Sequence, residues 1–209
     1  MKTVKFLFVL LFILSTPLQL FGRVTESAEN LLRIIHKVNR HWQENNSPQV
    51  RSFWDNAAYH TGNMEVYELT GNTAYLKYST DWAEYNHWKG AASDNKAEWR
   101  YGYGETPQYV LFGDWQCCFQ TYADLYGIRG DDRRIARARE VLEYQMGTDK
   151  NDYWWWADGL YMVMPVMTKL YRITKNPLYL EKLYEYFSYA DSVMYDPEAG
   201  LYYRDGSFV

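Results

Sequence analysis

Three stretches of this 209-residue chain repeat one short pattern, and that repeat limits the fold more than any other feature. VYELTGNTAYL runs from Val66 to Leu76, LYGIRGDDRRI from Leu125 to Ile135, and LYRITKNPLYL from Leu170 to Leu180. Each has an apolar–Tyr pair, another apolar residue two positions on, a brief polar break and a fresh apolar start. Thr70-Gly71-Asn72 reads as a helix stop followed by a new cap, and Pro177 falls early in a helix, where its missing N–H is harmless. Apolar residues before the breaks recur at three and four, most clearly Leu160, Met164, Met167, Leu170 and Tyr171. The spacing predicts helices after the breaks over 75–88, 133–145 and 179–194, and one leading helix over 26–43. The anchoring tyrosines stand at 67, 126 and 171, giving periods of 59 and 45 residues. A helix pair cannot bury its apolar face alone, so repeated pairs stack into a solenoid or close into a ring. The expected fold is therefore all-α, with about three and a half hairpins in this chain. No strand pattern stands out. The stretch 89–113, rich in Gly and aromatics, is expected to be a long ordered loop of the kind on which sites are built.

Charge and cysteine content exclude several classes. A formal net charge of -4 offers no broad basic surface for nucleic acid. Two adjacent cysteines, Cys117 and Cys118, rule out a disulfide-rich scaffold and read as small buried apolar side chains. The four His and the Cys pair show no metal-ligand spacing. Residues 1–22, MKTVKFLFVLLFILSTPLQLFG, have a basic start, a short apolar run and small or breaking residues, the pattern of a secretory signal peptide. A non-cleaved anchor is the alternative. The expected domain organisation is a signal over 1–22 and a helical toroid over 23–209, exported and free of the membrane after cleavage.

Candidate chemistry lies in three carboxylates. Asp55 and Asp114 each stand 12 residues before a Tyr anchor, and Asp158 stands 13 before the third. If the three helices are equivalent, these acids share one end, about 18 Å of helix from the anchors. Each has an aromatic neighbour: Trp54, Trp115 and, one residue removed across Ala157, Trp156. One reading is capping, since Asp favours the first helical turn. The other is a site. Aromatics are 19% of the chain, and the run Tyr153-Trp154-Trp155-Trp156 offers indole faces that suit sugar rings. An acid beside aromatic surface and a second carboxylate should have a raised pKa and could act as a general acid. Paired carboxylates in an aromatic cleft suggest carbohydrate chemistry.

The motif residues extend this. Trp54 with YELTGNTAYL, then STDWAEYNHWKGA, YGYGETPQYVLFGDWQCCFQTYADLY, WWWADGLYMVMPVMTKLYRITKNPLYL and MYDPEAGLYYRDGSF resemble the unsaturated rhamnogalacturonyl hydrolases, glycoside hydrolase family 105, and their relatives of family 88, the unsaturated glucuronyl hydrolases. The resemblance implies an (α/α)6 barrel, incomplete here because the family continues beyond the position of Val209. It implies that Asp158 is the general acid/base and Asp114 its carboxylate partner. Trp54 and Asp55 fall where the family lines its sugar pocket, with Trp156 and Arg204 as further candidates. The implied reaction removes a 4,5-unsaturated uronic acid from the non-reducing end of lyase-generated oligosaccharides by protonating and hydrating the vinyl ether, with no cofactor or metal. The family's substrate-contacting His has no counterpart between Gly147 and Asp152. Two readings stay open beside this one: another (α/α)6 glycan enzyme, and a non-catalytic glycan-binding repeat protein.

Overall fold

A computed structural model of the chain describes residues 27–208. The expected signal segment, residues 1–22, lies outside the described residues. The chain divides into two compact units, at Ser47 and Pro48. The described part of the first is one helix, α1, over 27–45, two residues longer at its end than the sequence suggests.

The second unit holds three helical hairpins. The first is α2 (Trp54–Thr70) with α3 (Thr73–Tyr85). The second begins with a single turn, α4 (Gly113–Gln116), continues as α5 (Cys118–Ile128) and returns as α6 (Arg133–Met146). The third is α7 (Ala157–Thr174) with α8 (Leu178–Met194). Helix α5 packs between α2 and α7, while α3, α6 and α8 back onto α2, α5 and α7 respectively. The central layer is thus three inner helices, with the returning helices outside.

The first and third polar breaks stop alike, whereas α5 ends at Arg129 in extended backbone. Gly71, at φ 67°, and Lys175, at φ 59°, end their helices in the left-handed region and donate their N–H groups to the carbonyls of Tyr67 and Tyr171. An Asn or Asp side chain then accepts the N–H two residues on: Asn72 from Ala74, Asp131 from Arg133, Asn176 from Leu178. The three anchoring tyrosines pack half-buried against the core.

Two features of the packing matter later. Pro165 sits inside α7 and has no N–H for the carbonyl of Tyr161 four residues back. The buried Gln120 amide of α5 replaces it, donating to the Tyr161 carbonyl at 2.9 Å and to that of Met162 at 3.1 Å. Between α2 and α3, His60 is buried and stacked on Trp82 with ring centroids 3.9 Å apart. Ser79 Oγ accepts from Asn63 and lies within hydrogen-bond distance of His60 Nδ1, at 3.0 Å. Desolvation pushes the His60 pKa down to about 3.

The loop expected over 89–113 is ordered by its own backbone. Ser93 N–H bonds the Pro107 carbonyl, Arg100 N–H that of Gln108, and Leu111 N–H that of Arg100. The buried Arg137 of α6 clamps it from outside, donating to the carbonyls of Ala91 and Ser93 and lying over the Trp99 ring. One element departs from the expectation of no strands. Tyr195–Asp196 (β1) pairs antiparallel with Leu201–Tyr202 (β2). Asp196 Oδ1 accepts the N–H groups of Glu198 and Ala199, and Gly200 turns at φ 67°, which closes a tight hairpin.

Candidate active site

The inner helices begin on one side of the layer, and their first turns line a cavity of about 400 Å³. Trp54 comes from α2, Asp114 from α4, and Trp156 and Asp158 from the start of α7. Arg204 enters from the segment after β2, which is tied to α7 by a bridge between Trp156 and Asp205 and by the Ala157 N–H on the Arg204 carbonyl at 2.7 Å. Asp55 is not among the lining residues. Adjacent residues on a helix point about 100° apart, so while Trp54 turns to the cavity, Asp55 turns to Arg51 at 3.7 Å.

None of the three acids is a cap. The N-cap positions belong to Phe53, Phe112 and Trp156, and none of these makes a side-chain capping bond. Asp55, Asp114 and Asp158 each follow two residues later, in the first turn. There the helix dipole favours negative charge, and Asp55 is engaged by the Asn56 N–H and by Arg51 while Asp114 and Asp158 turn to the cavity.

The environments of the two lining acids differ. Asp114 is 6% exposed, and Asp158 is open to solvent. Desolvation by burial raises the Asp114 pKa to about 7, and the negative charges of Asp158, Glu105 and Asp55 add to it in that order. Asp114 is therefore a carboxyl group that keeps its proton near neutrality, with a second carboxyl close enough to be felt.

An aromatic wedge packs against the helix starts that carry them. A Cβ at Gly113 would stand 3.0 Å from the Trp156 ring, and one at Gly159 would stand 3.3 Å from the same ring. The two glycines, each next to an acid, let the indole lie between the starts of α4 and α7. Trp156 reaches the cavity but is only 7% exposed, so it serves more as a spacer than as an open platform. The exposed aromatic faces at the cavity are Trp54, Tyr103 and Tyr161. Trp115 lies beneath, buried against Phe53 and donating its indole N–H to the Gly104 carbonyl. Among the described residues no cluster of His, Cys, Asp and Glu could hold a metal ion.

The family model for Glycosyl Hydrolase Family 88 matches residues 28–209. The chain belongs to Glycosyl Hydrolase Family 88. A solved family 88 structure from Bacteroides vulgatus is 69% identical, with a TM-score of 0.85, covering 86% of this chain and 52% of its own. A second structure, described as a polysaccharide lyase, is 70% identical with a TM-score of 0.85 and covers 88% of this chain and 52% of its own. Among curated proteins, the unsaturated 3S-rhamnoglycuronyl hydrolase of Formosa agariphila is 26% identical over 162 residues, 75% of this chain and 41% of that protein. The chain spans about half the length of the solved relatives. The three hairpins are consecutive hairpins of the family 88 (α/α) barrel.

Several lining residues of this family 88 chain went unread in the sequence. Ala58 follows Trp54 by four residues, Cys117 follows Asp114 by three, and Tyr161 and Met162 follow Asp158 by three and four. That spacing puts each on the helix face already occupied by a predicted site residue, and it was available as a signal. Tyr103 and Phe112 arrive from the long loop. Their positions depend on the backbone bonds above, which no local pattern announces.

Proposed function

We propose that this chain takes part in removing a 4,5-unsaturated uronic acid from the non-reducing end of lyase-generated oligosaccharides of the rhamnogalacturonan type. What carries the reading is the pair at the cavity: Asp114 holding a proton near neutral pH beside Asp158, in a pocket walled by Trp54 and Trp156. The name of the Formosa agariphila relative supports the unsaturated uronyl substrate. The motif resemblance to family 105 supports the pectin-derived class.

Between them the two acids must deliver one proton and recover one. A proton goes to C4 of the vinyl ether, and positive charge develops at C5 and the ring oxygen. Water adds at C5 and returns its proton to the pair. The resulting hemiketal opens, and the C1 centre it leaves behind expels the second sugar. The resemblance assigns delivery to Asp158, which faces the open side where substrate enters. Burial stores the proton on Asp114 at the floor. Trp54 supplies a face for the ring and Arg204 a countercharge for the uronate. Export through residues 1–22 belongs to the same proposal, since it brings the enzyme to polymer fragments outside the cytoplasm.

The relative described as a polysaccharide lyase favours a second reading, elimination that creates the double bond rather than hydration that consumes it. The two move the conjugated ultraviolet absorbance in opposite directions. Incubation with unsaturated pectin oligosaccharides should make the absorbance fall. A rise on intact polymer would replace the proposal with a lyase. Release of saturated sugars would point to an ordinary glycosidase, and binding without turnover to a glycan-binding protein.

A further inference from the structure

The cavity is electrically lopsided. Among the described residues that line it, Arg204 is the one cation, and a single carboxylate, Asp205, pairs with it at 2.5 Å. Away from Arg204 runs a string of aromatic contacts: Trp156 lies 4.9 Å from Phe112, and Phe112 lies 5.8 Å from Tyr103, ring centre to ring centre. Tyr103 is 68% exposed and donates its hydroxyl hydrogen to Glu105 Oε1 at 3.4 Å. Glu105 is held by Arg51 at 2.5 Å, and Arg51 also reaches Asp55 at 3.7 Å. Two carboxylates thus share one guanidinium, leaving this rim one negative charge in excess. Arg51 holds the Glu105 carboxyl below its usual range, so the charge stays on. The loop cannot easily move aside. A Cβ at Gly104 would sit 2.1 Å from the Tyr109 ring, and the Trp115 indole N–H holds the Gly104 carbonyl.

We infer that the rim of Arg51, Tyr103 and Glu105 receives the leaving sugar and selects for one without an anionic substituent, while the uronate end lies toward Arg204. This rests on the hydrolase reading above. Tyr103 offers the second ring a face, and Glu105 accepts hydrogen bonds from its hydroxyl groups. A sulfate or second carboxylate there would meet a fixed negative charge beside an exposed mouth. Repulsion of that kind is worth about three- to ten-fold in relative specificity.

The test compares unsaturated uronyl disaccharides whose second sugar is neutral or sulfated, using the 209-residue chain, ultraviolet loss for turnover and tryptophan fluorescence for binding. Wild type should favour the neutral disaccharide, and Glu105→Gln should shrink that preference about three- to ten-fold. Asp81→Asn, the same charge change on α3 where Asp81 pairs with Lys77, should leave the preference as it was. Tyr103→Ala should weaken binding of the neutral disaccharide about two- to ten-fold and hardly affect the free unsaturated monosaccharide. A wild-type preference for the sulfated sugar, equal preference in wild type and Glu105→Gln, or equal losses for monosaccharide and disaccharide in Tyr103→Ala would each overturn the rim assignment while leaving the hydrolase reading in place. If neither disaccharide is bound or turned over, both fall.

Discussion

At the residue scale, Asp114 and Asp158 are separated by what surrounds them rather than by what they are. Asp158 is exposed, so Asp158→Asn should fold and melt like wild type while turnover drops by roughly 10²- to 10⁴-fold, the usual range for losing a general acid or base. Steady-state kinetics beside a thermal melt checks this; a variant that melts early but keeps its activity per folded molecule would refute the role. Asp114→Asn should also stop turnover, and it should stabilise the protein. Below about pH 4 the folded and unfolded chains both hold the proton. From there to about 7 the unfolded chain has lost it while the folded chain keeps it, so wild-type stability falls across this window and stays low above it. Asparagine does not titrate. The advantage of Asp114→Asn should therefore grow from pH 4 to 7 and level off at about 2 kcal/mol once solvent at the cavity mouth is allowed for. Urea titrations at pH 5 and pH 8 would measure it.

At the element scale, α7 depends on a neighbour. Gln120→Leu removes the amide that serves the carbonyl Pro165 orphans, and should cost about 2 kcal/mol in denaturant unfolding. Adding Pro165→Ala should recover part of that loss by restoring the N–H. An equal loss with and without Pro165→Ala would mean that Gln120 matters for another reason. The wedge is equally local. Gly113→Ala puts a methyl at 3.0 Å from the Trp156 ring and Gly159→Ala at 3.3 Å, so the first should slow turnover more than the second. The helix breaks were legible because each is decided by residues that touch in sequence: Gly71 or Lys175 for the stop, Asn72, Asp131 or Asn176 for the restart. The N-caps misled, because Asp in a first turn looks like a cap until Phe53, Phe112 and Trp156 are seen to occupy those positions.

At the scale of the whole molecule, two buried groups pull stability in opposite directions with pH. His60, neutral in the fold down to about pH 3, costs stability as pH falls below 6.5, because the unfolded chain takes up a proton that the folded chain refuses. Asp114 costs stability as pH rises from about 4 to 7. Between about pH 4 and 6.5 the two slopes oppose, each near 1.4 kcal/mol per pH unit at full strength. In Asp114→Asn the His60 slope should stand alone, so its stability should fall toward acid more steeply than that of wild type in this window. Neither value could be read from sequence. His60 sits in an ordinary helical stretch, and its burial comes from Trp82 on the next helix; which acid is buried depends on how α4 and α7 meet. The hairpin repeat was legible because it is periodic, and the rim of Arg51, Tyr103 and Glu105 was not, because long-range bonds from Trp115 and within the loop place it. The spacer between α4 and α7 has one more consequence. An indole ring does not compress, so it acts as a gauge block between the acids: warming or mild denaturant can loosen outer helices without changing the interval. The two helix starts should keep their separation until the ring is expelled, and then lose it in one step rather than by gradual drift.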